Sequence, residues 1–455
     1  MAEISKKLNL IQSTAINITN MVGIGPFICM TAIMQAAKGS NCLLCWLIGG
    51  VIALLDGYVW AKLSSRWPVA GGSFIYLRNL YPANMGKLLS FLFLWQAIIA
   101  MPLMIATGVI GFSSNFAYID PAISFKITAV ILVIIVTILL FRNIHEIGVI
   151  STVFGYLVII TICWAIFAGI SSFNLLHVFA GSGSRFLKAQ PSSLSNAINA
   201  IIYCFIGYSN TCYIGAEIKN PAKNIPRSIY LSIIIVAVLY FFMQAAVLSQ
   251  PIPHGSTDNY PFFNNFFQQK YNHSVSVFFT VLVLIVAASA TFSALLGFSR
   301  VPYAAAKEGH FFKLFGTTNS KKTVPVFSIL FLCLLTLIFS VAFDLDSIIK
   351  LVVALQLCLQ YIAQSIGLIV YYLRNPGLIS GFRGKLRLLV PVAVTIIWVA
   401  LFILFESDSF YYVLAIMGIG ALLFYVTGIY KKPNLAHYET GIPAAIRYSN
   451  KEAEV

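Results

Sequence analysis

Runs of about 20 apolar residues recur along almost the whole chain and are separated by short polar stretches. An α-helix needs about 20 such residues to cross the hydrocarbon core of a bilayer. Because 59% of the 455 residues are apolar and only 9% are charged, the chain carries too much apolar surface for one soluble core. The sequence therefore predicts an all-α integral membrane protein that crosses the bilayer several times.

The apolar pattern divides the chain into twelve predicted membrane helices, which we number spans 1 to 12. Their bounds are 8–36, 42–66, 86–113, 122–142, 147–170, 193–219, 227–250, 274–306, 324–343, 346–373, 386–405 and 408–430. The segments 174–192 and 250–273 are polar and rich in Pro, Ser and Asn, so we predict that they are loops. Residues 433–455 form a predicted cytoplasmic tail.

Basic residues predict how these spans are oriented. With a cytoplasmic amino terminus, only six of the 29 lysine and arginine residues face outward, namely Lys38, Lys126, Arg185, Lys188, Lys270 and Lys350. Short cytoplasmic loops are normally enriched in Lys and Arg. We therefore expect both termini to be cytoplasmic and the protein to lie in a plasma or inner membrane.

The net charge of +15 needs no nucleic acid partner to explain it. Proteins that bind nucleic acids concentrate their basic residues in one patch or stripe, whereas here these residues are dispersed over the short loops of one membrane face. Span 1 directly follows Lys6 and Lys7 and is too long for a cleavable signal peptide. The lipid bilayer is therefore the partner that the composition predicts.

Span 1 is interrupted by the sequence Gly23-Ile24-Gly25-Pro26. Glycine tolerates backbone angles that other residues resist, and proline favours the first turn of a helix because it lacks an N–H group. The quartet therefore predicts that one helix ends and another begins inside the membrane. Irregular backbone persists at that depth only where protein buries it or where it lines a cavity. The free N–H groups of the second half-helix are predicted to bind an anion such as a carboxylate.

A second interruption is predicted in span 6, where small and polar residues occur between Tyr203 and Asn210. A single glycine such as Gly207 is also common where helices pack closely, so the prediction depends on the pairing of the two interruptions. Spans 1 and 6 occupy corresponding places in two sets of five helices, which is the pattern of an inverted repeat with substrate between its halves. The predicted repeats are residues 1–173 and 174–375, and spans 11 and 12 follow within residues 376–432.

Four segments resemble motifs of the amino acid–polyamine–organocation superfamily, the family of amino acid permeases. They are the interruption Gly23–Phe27, the stretch Asp56–Leu77, the stretch Glu217–Arg227 and the end of span 8 at Ser299–His310. Each motif alone is of moderate specificity, but the four occur in the family's order and spacing. The resemblance implies a LeuT-like fold with broken helices 1 and 6. It also implies a secondary transporter, either a symporter or an exchanger, that moves an amino acid or related amine by alternating access.

The resemblance implies a substrate site at the two breaks. In such permeases the backbone N–H groups of the first break hold the substrate carboxylate, here those of Ile24, Gly25 and Phe27, and backbone carbonyls of both breaks hold the ammonium group. Tyr203 falls where relatives place an aromatic gate, and a buried core residue is the alternative. The implied site comprises Asn20, Met21, Gly23, Ile24, Gly25, Phe27, Tyr203, Cys204, Phe205, Ile206, Gly207 and Tyr208.

Two positions depart from the family's pattern. Ile24 stands where many relatives carry serine or alanine, which narrows the implied site and favours a small or compact substrate. Tyr156 stands where some relatives carry a lysine that takes part in coupling. Tyrosine is neutral at physiological pH and cannot replace that cation. Tyr156 is therefore a coupling or gating candidate that lacks the charge found in those relatives.

Two acidic residues are further candidates for coupling or gating. Asp56 lies deep in span 2, where an unpaired carboxylate is costly, so it is either a proton site or a polar contact between helices. Glu217 is followed by the basic residues Lys219, Lys223 and Arg227. We predict that Glu217 belongs with them to an inner gate or to a charge network that orders the loop.

Three glutamines are spaced four residues apart on one face of span 10, namely Gln356, Gln360 and Gln364. They would either line the permeation path or tie span 10 to its neighbours, and the sequence leaves both roles open. Asn17 and Asn20 pose the same choice on span 1, where Asn20 is next to the break.

The sequence contains no HExxH, GxSxG or P-loop motif, so we expect neither enzymatic activity nor a cofactor or metal. The eight cysteines have no metal-ligand spacing, and none lies between spans 3 and 4, where relatives that pair with a glycoprotein subunit carry one. We therefore expect no disulfide-linked subunit. A polyamine or organic-cation permease of the same fold, a channel and a non-transporting amino acid sensor are the alternative functions.

Overall fold

The computed structural model describes residues 7–37, 39, 41–170, 191–249, 262–319, 324–379, 381–404 and 407–428. These ranges include every residue of the predicted substrate site. Most of the predicted loop 174–192 and the whole predicted tail lie outside the described residues, as do three of the predicted outward-facing basic residues, Lys38, Arg185 and Lys188.

The described part of the first half is a succession of helices. They are α1 (Leu10–Met21), α2 (Gly25–Ala36), α3 (Asn41–Arg66), α4 (Ser73–Leu80), α5 (Ala83–Ile119), α6 (Phe125–Leu140), α7 (Ile144–Ile170), α8 (Pro191–Phe205) and α9 (Asn210–Tyr213). A 3₁₀ turn at Gly215–Glu217 follows.

Helices continue through the second half. They are α10 (Pro221–Leu248), α11 (Phe262–Lys270), α12 (His273–Phe298), α13 (Arg300–Lys307), α14 (Val326–Ala342), α15 (Leu345–Gln356), α16 (Gln364–Arg374), α17 (Gly381–Ile403) and α18 (Ser407–Val426). A π-helical segment, Leu357–Ala363, joins α15 to α16. Within the described ranges the only strand-like pairings are two isolated bridges, Leu8 with Ile218 and Ala70 with Ile214.

Six continuous helical stretches in the described residues are long and apolar enough to cross a membrane. They are α3, α5, α7, α10, α12 with α13, and α15 with α16. α1 and α2 form a seventh candidate, bent by 50°, and α6, α14, α17 and α18 contain shorter apolar helices. These lengths and compositions support a multi-pass membrane protein. The number twelve and the inverted repeat remain predictions.

The exposure of side chains separates a lipid-facing surface from the interior. α6 is apolar all round, yet four isoleucines at helical spacing are about half exposed, namely Ile127, Ile131, Ile134 and Ile138. Exposing an apolar outer face to water is unfavourable, so a helix of this kind lies where lipid covers that face. In α1, by contrast, every residue from Gln12 to Met21 is buried, and the helix packs against α7, α10 and α12. α1 therefore lies inside the bundle.

The first predicted break is present. α1 begins with a capping box. The Asn9 side chain accepts a hydrogen bond from the Gln12 N–H at 2.9 Å, and the Gln12 side chain accepts one from the Asn9 N–H at 3.0 Å. The helix ends at Met21, and α2 begins at Gly25 with Pro26 in its first turn. Proline is favoured there because a first-turn N–H has no partner inside the helix. The local sequence thus explains both the end of α1 and the start of α2.

The second predicted break is also present. α8 ends at Phe205 and α9 begins at Asn210, with four turn residues between them. Gly207 has φ +128°, a region that L side chains rarely adopt. This conformation lets the chain leave the helix abruptly and resume it one turn later.

Two segments differ from the sequence predictions. The predicted loop 250–273 contains a helix, α11, whose Phe267 ring stacks on Phe279 of α12 with centroids 4.0 Å apart. Its phenylalanines at 262, 263, 266 and 267 have the spacing of an amphipathic helix, a signal that the polar average of the segment hides. In addition, α4 forms a short buried helix between spans 2 and 3, where no element was predicted.

Candidate functional site

The two helix breaks touch each other in the interior of the bundle. A Cβ atom on Gly207 would lie 2.7 Å from the carbonyl carbon of Asn20 and 2.8 Å from the backbone nitrogen of Met21. No side chain fits at such distances, so the backbones of the two breaks approach each other directly. Asn17 adds a second link, since its Oδ1 accepts a hydrogen bond from the Thr211 N–H at 3.0 Å. These contacts fix the first break relative to the second.

A cavity lies where the breaks meet, and we call it the break cavity. It is lined by Asn20, Met21, Gly23, Ile24, Gly25, Met104, Ile105, Thr107, Gly108, Tyr203, Cys204, Ile206, Ala290, Thr291 and Ala294. Eight of the twelve predicted substrate-site residues are among them. None of the lining residues carries a charged side chain, so a charged ligand would depend on backbone and hydroxyl groups.

The other four predicted site residues lie elsewhere. Phe27 and Phe205 pack into aromatic clusters beside the cavity. Gly207 lines a second cavity, and the Tyr208 hydroxyl donates a hydrogen bond to Asp56. The prediction placed all four around the substrate because sequence proximity to a break does not reveal which way each side chain points.

The backbone donors predicted for a carboxylate are present only in part. No acceptor lies within hydrogen-bonding distance of the Gly23 or Ile24 N–H among the described residues, and both residues line the break cavity. Gly25 is the first residue of α2, so its N–H has no intrahelical partner. The Phe27 N–H, in contrast, donates to the Ile24 carbonyl at 3.1 Å. The prediction for Phe27 is therefore corrected, because its N–H is used in the first turn of α2.

Tyr240 of α10 supports both breaks, and nothing in the sequence pointed to it. Its hydroxyl lies 3.0 Å from the Met21 carbonyl oxygen and 3.2 Å from that of Cys204. One hydroxyl proton is shared between these two acceptors, and the family resemblance implies that backbone carbonyls of the two breaks hold the substrate ammonium group. A tyrosine in an apolar helix looks like a core residue, and only its long-range contacts reveal that it holds the two breaks at a set spacing.

We expect Tyr240→Phe to lower the free energy of unfolding by about 1 kcal/mol, since it removes one shared buried hydrogen bond and leaves two carbonyls without their donor. Thermal unfolding in detergent measures the change. Tyr156→Phe is the matched control, because the Tyr156 side chain is 59% exposed. Equal stability of the two variants would contradict the bracing role.

Ile24 narrows the break cavity less than the sequence predicts. A Cβ atom on Gly111 of α5 would lie 2.4 Å from Ile24 Cγ1, so the isoleucine side chain fills the space that Gly111 leaves open. Ile24 is fully buried by this contact. Ile24 thus replaces the small residue of many relatives, and Gly111 on the facing helix α5 provides the space for its larger side chain.

Tyr203 lies directly against the start of α2. A Cβ atom on Gly25 would lie 2.8 Å from Tyr203 Cε1, and both residues line the break cavity with Thr107. Tyr203 is 8% exposed, so its ring has little contact with solvent. The ring packs against the start of α2, so the aromatic gate and the core residue both remain predictions for Tyr203.

Asp56 connects three elements through a buried carboxylate. Its Oδ2 accepts a hydrogen bond from the Tyr208 hydroxyl at 2.5 Å, and its Oδ1 accepts one from Trp398 Nε1 at 2.9 Å. The residue is 1% exposed, and no basic side chain pairs with it in the described part of the chain. Asp56 on α3 is therefore linked to the second break and to α17, which fits the predicted polar contact between helices.

Tyr156 does not join the site. Its side chain is 59% exposed on the outer surface of α7, and the neighbouring Gly155 faces α1 instead, where an added Cβ would lie 2.9 Å from Ala15 Cβ. Side chains one position apart on a helix differ by about 100° in direction, so the two residues cannot both face α1. Tyr156 is removed from the coupling and gating candidates.

Glu217 forms an ion pair deep inside the protein. Arg300 Nε donates to Glu217 Oε1 at 3.0 Å and Arg300 Nη2 to Oε2 at 3.2 Å, and the two residues are 4% and 6% exposed. The Glu217 carbonyl also accepts from the N–H groups of Lys7 and Leu8. The sequence grouped Glu217 with Lys219, Lys223 and Arg227, whereas the basic side chain that pairs with it in the described residues is Arg300 of α13, because the fold brings the two distant motifs together.

A second cavity adjoins the first and shares Asn20 and Ile206 with it. Its lining residues are Asn20, Gln96, Ala97, Ala100, Met101, Ile206, Gly207, Ser209, Asn210, Tyr213, Phe298, Gln356 and Gln360. Gln356 and Gln360 thus line a cavity, whereas Gln364 lines neither cavity. Gln96 and Asn210 were not singled out in the sequence.

The described residues contain neither a metal-ligand cluster nor a disulfide. Those residues contain no group of three or more His, Cys, Asp or Glu side chains that could hold a metal ion. The eight cysteines are all free thiols. The chemistry of the two cavities therefore depends on backbone, hydroxyl and amide groups.

The chain is similar to known proteins over most of its length. A family model described as amino acid permease matches residues 8–430. The Asc-type amino acid transporter 1 of Mus musculus is 23% identical, and the alignment covers 94% of this chain and 80% of that protein. The large neutral amino acids transporter small subunit 2 of Rattus norvegicus is 23% identical, with 88% and 76% covered. An uncharacterized amino acid permease of Bacillus subtilis is 26% identical, with 72% and 75% covered.

Proposed function

The chain belongs to the amino acid permease family, and from that premise we propose that it moves an amino acid across a membrane as a secondary transporter that works by alternating access. Amino acid transport agrees with the names of its relatives. The proposal includes two inverted repeats within residues 1–375, twelve spans and cytoplasmic termini. We further propose that no disulfide-linked subunit is required, because the link 120–124 between α5 and α6 contains no cysteine.

The contact between the two breaks is the observation that carries this proposal. Gly23 and Ile24, whose N–H groups make no hydrogen bond among the described residues, line an uncharged cavity where the breaks meet. Backbone N–H groups at a helix start bind carboxylates well. A polyamine has no carboxylate to place there, so these donors favour an amino acid over an organic cation.

A channel fits the site less well than a transporter does. A channel needs a continuous path lined by carbonyl or charged rings, whereas the break cavity is enclosed by Tyr203 and Ile24, which are both buried. Beyond Tyr213 along the chain, the Glu217–Arg300 ion pair is buried as well. Alternating access needs a barrier on each side of the substrate site, and we propose these two buried groups as the barriers.

Asp56 is the proposed proton site of the transport cycle. As a carboxylate it accepts both of its hydrogen bonds, from Tyr208 and Trp398. A proton on Oδ2 would turn that oxygen into a donor toward the Tyr208 hydroxyl, which would then accept. The groups that face Asp56 are these two side chains, Tyr361 beside Tyr208, and Trp60 on its own helix. Protonation would thus reverse a hydrogen bond at the second break.

We expect Asp56→Asn to abolish accumulation of substrate driven by a proton gradient while exchange across the membrane persists, since an amide does not exchange the proton. Proteoliposomes with and without an imposed proton gradient measure the difference. Ser347→Ala is the control, because Ser347 is exposed, carries no charge and lies far from both breaks along the chain. Unchanged accumulation in Asp56→Asn would make Asp56 a structural contact only.

The proposed function is tested by uptake into proteoliposomes that contain the purified protein. A panel of labelled amino acids and polyamines is tested with and without a proton gradient and with and without internal substrate. We expect saturable uptake of at least one amino acid and none of the polyamines. Linear, non-saturating flux would indicate a channel, and binding without any flux would indicate a sensor, so either result would overturn the proposal.

A further inference from the structure

The second cavity is unusual for a membrane interior because amide side chains surround it. Five carboxamide groups line it, and we call it the amide chamber; its amides are Asn20, Gln96, Asn210, Gln356 and Gln360. They come from α1, α5, the start of α9, and the continuous stretch of α15 and the π-helical segment, so four separate parts of the bundle contribute groups of one chemical type. None of the residues that line the chamber carries a charge.

Two of these amides keep polar atoms without a protein partner. Gln96 is 1% exposed, and its Oε1 has no hydrogen-bond partner. Asn210 is also 1% exposed, and although its Nδ2 donates to the Ser293 carbonyl at 2.6 Å, its Oδ1 has no partner. Buried polar atoms are almost always hydrogen-bonded. The Asn210 Oδ1 faces Gly297 of α12, where an added Cβ would collide with it, so the Gln96 Oε1 is the acceptor left for a water or a ligand in the chamber.

The hydrogen bonds that the chamber's carboxamides already make leave other donors and acceptors on these groups unused. Gln360 Nε2 donates to the Tyr213 hydroxyl at 3.2 Å, and Gln356 Oε1 accepts from the Tyr361 hydroxyl at 3.3 Å. Each carboxamide offers two donor hydrogens and an oxygen with two lone pairs, so one bond does not exhaust it. The chamber thus presents both donors and acceptors to whatever occupies it.

The position of the chamber relates it to the substrate. It shares Asn20 and Ile206 with the break cavity, so the two cavities meet at these residues. An amino acid whose carboxylate lies on the N–H groups of Gly23 and Ile24 can direct its side chain past Ile206. The chamber is the polar space that such a side chain would enter.

We propose that the amide chamber holds the substrate side chain and selects amino acids whose side chains are polar and uncharged, with a carboxamide or hydroxyl group. This inference rests on the proposed function, because it assumes that the amino acid head is bound at the breaks. Carboxamide and hydroxyl groups both donate and accept, and so they match the amides around them. A charged side chain would be buried without a counter-ion, and an apolar one would leave the amides unsatisfied.

Substrate selectivity of Gln96→Met tests the proposal, because methionine keeps the length of the side chain but removes its amide. Uptake of labelled glutamine and alanine is measured in proteoliposomes with wild-type and variant protein. We expect the wild type to prefer glutamine to leucine, lysine and glutamate. In Gln96→Met we expect the ratio of kcat/KM for glutamine to that for alanine to fall about tenfold, as loss of one hydrogen bond in a closed site predicts.

Gln364→Met is the matched control. Gln364 is equally buried, its amide atoms have no partner either, and it lines neither cavity. We expect its glutamine-to-alanine ratio to equal that of the wild type. An equal loss for both substrates in Gln96→Met, or a wild-type preference for leucine or lysine, would overturn the chamber as the side-chain site and leave it as a water-filled part of the path. Absence of uptake for every amino acid would instead contradict the proposed function.

Discussion

Gly25→Leu is expected to abolish saturable amino acid uptake. The first side-chain carbon alone would lie 2.8 Å from Tyr203 Cε1 and 3.7 Å from Cys204 Sγ, and Tyr203 can move because the contact is with its ring. The remaining leucine atoms would then occupy the break cavity that Gly25 lines. The substrate carboxylate would lose its place on the N–H groups at the start of α2. Initial uptake rates in proteoliposomes over a range of substrate concentrations measure the loss.

Gly418→Leu is the control for this substitution. Gly418 lies in the apolar helix α18, and an added Cβ would meet nothing within 4 Å. We expect its uptake kinetics to match the wild type. Size-exclusion profiles and thermal unfolding of both variants show whether the protein is folded. If folded Gly25→Leu protein keeps the wild-type KM and maximal rate, the substrate does not bind at the break.

The second large effect is expected from Glu217→Gln. The change leaves Arg300 buried and without its carboxylate, although Arg300 keeps bonds to the Leu296 carbonyl and the Ser299 hydroxyl. Removing one partner of a buried ion pair costs about 3–5 kcal/mol of stability. We therefore expect a large fall in the temperature of thermal unfolding in detergent. Uptake should fall with it if the pair is the proposed barrier on that side of the substrate site.

Two further variants make this prediction specific. In the double variant Glu217→Gln with Arg300→Gln no charge remains buried at this pair, so part of the lost stability should return. Asp346→Asn disrupts an exposed ion pair with Lys350, whose side chains are 78% and 40% exposed, and should cost less than about 1 kcal/mol. A fall in stability for Asp346→Asn as large as that for Glu217→Gln would show that burial of the pair does not matter.

Both helix breaks could be located from the sequence because their causes are local. Two glycines and Pro26 determine where α1 ends and α2 begins, and Gly207 provides the backbone conformation that ends α8. The same holds for the long apolar helices, whose lengths follow from uninterrupted apolar runs. The short helix α11 was missed because its apolar face is narrow and its average composition is polar.

The partners of the buried polar groups could not be located in this way. Glu217 pairs with Arg300, 83 residues away, and not with the basic residues that follow it. Asp56 meets Tyr208 and Trp398 from two distant elements. Tyr156 was matched to the lysine of some relatives by its place in the sequence alone, but its side chain lies on the outer face of α7 while the neighbouring Gly155 faces α1.

By itself the sequence determined the class of the protein, the approximate bounds of most of its helices and the place of its two breaks. These features depend on apolar runs and on the backbone preferences of glycine and proline, which act over a few residues. Only the tertiary structure decided which groups meet: Gly207 against the Asn20 backbone, Tyr240 on both breaks, and five amides around one chamber. Such contacts depend on how distant helices pack and rotate, which no local pattern specifies.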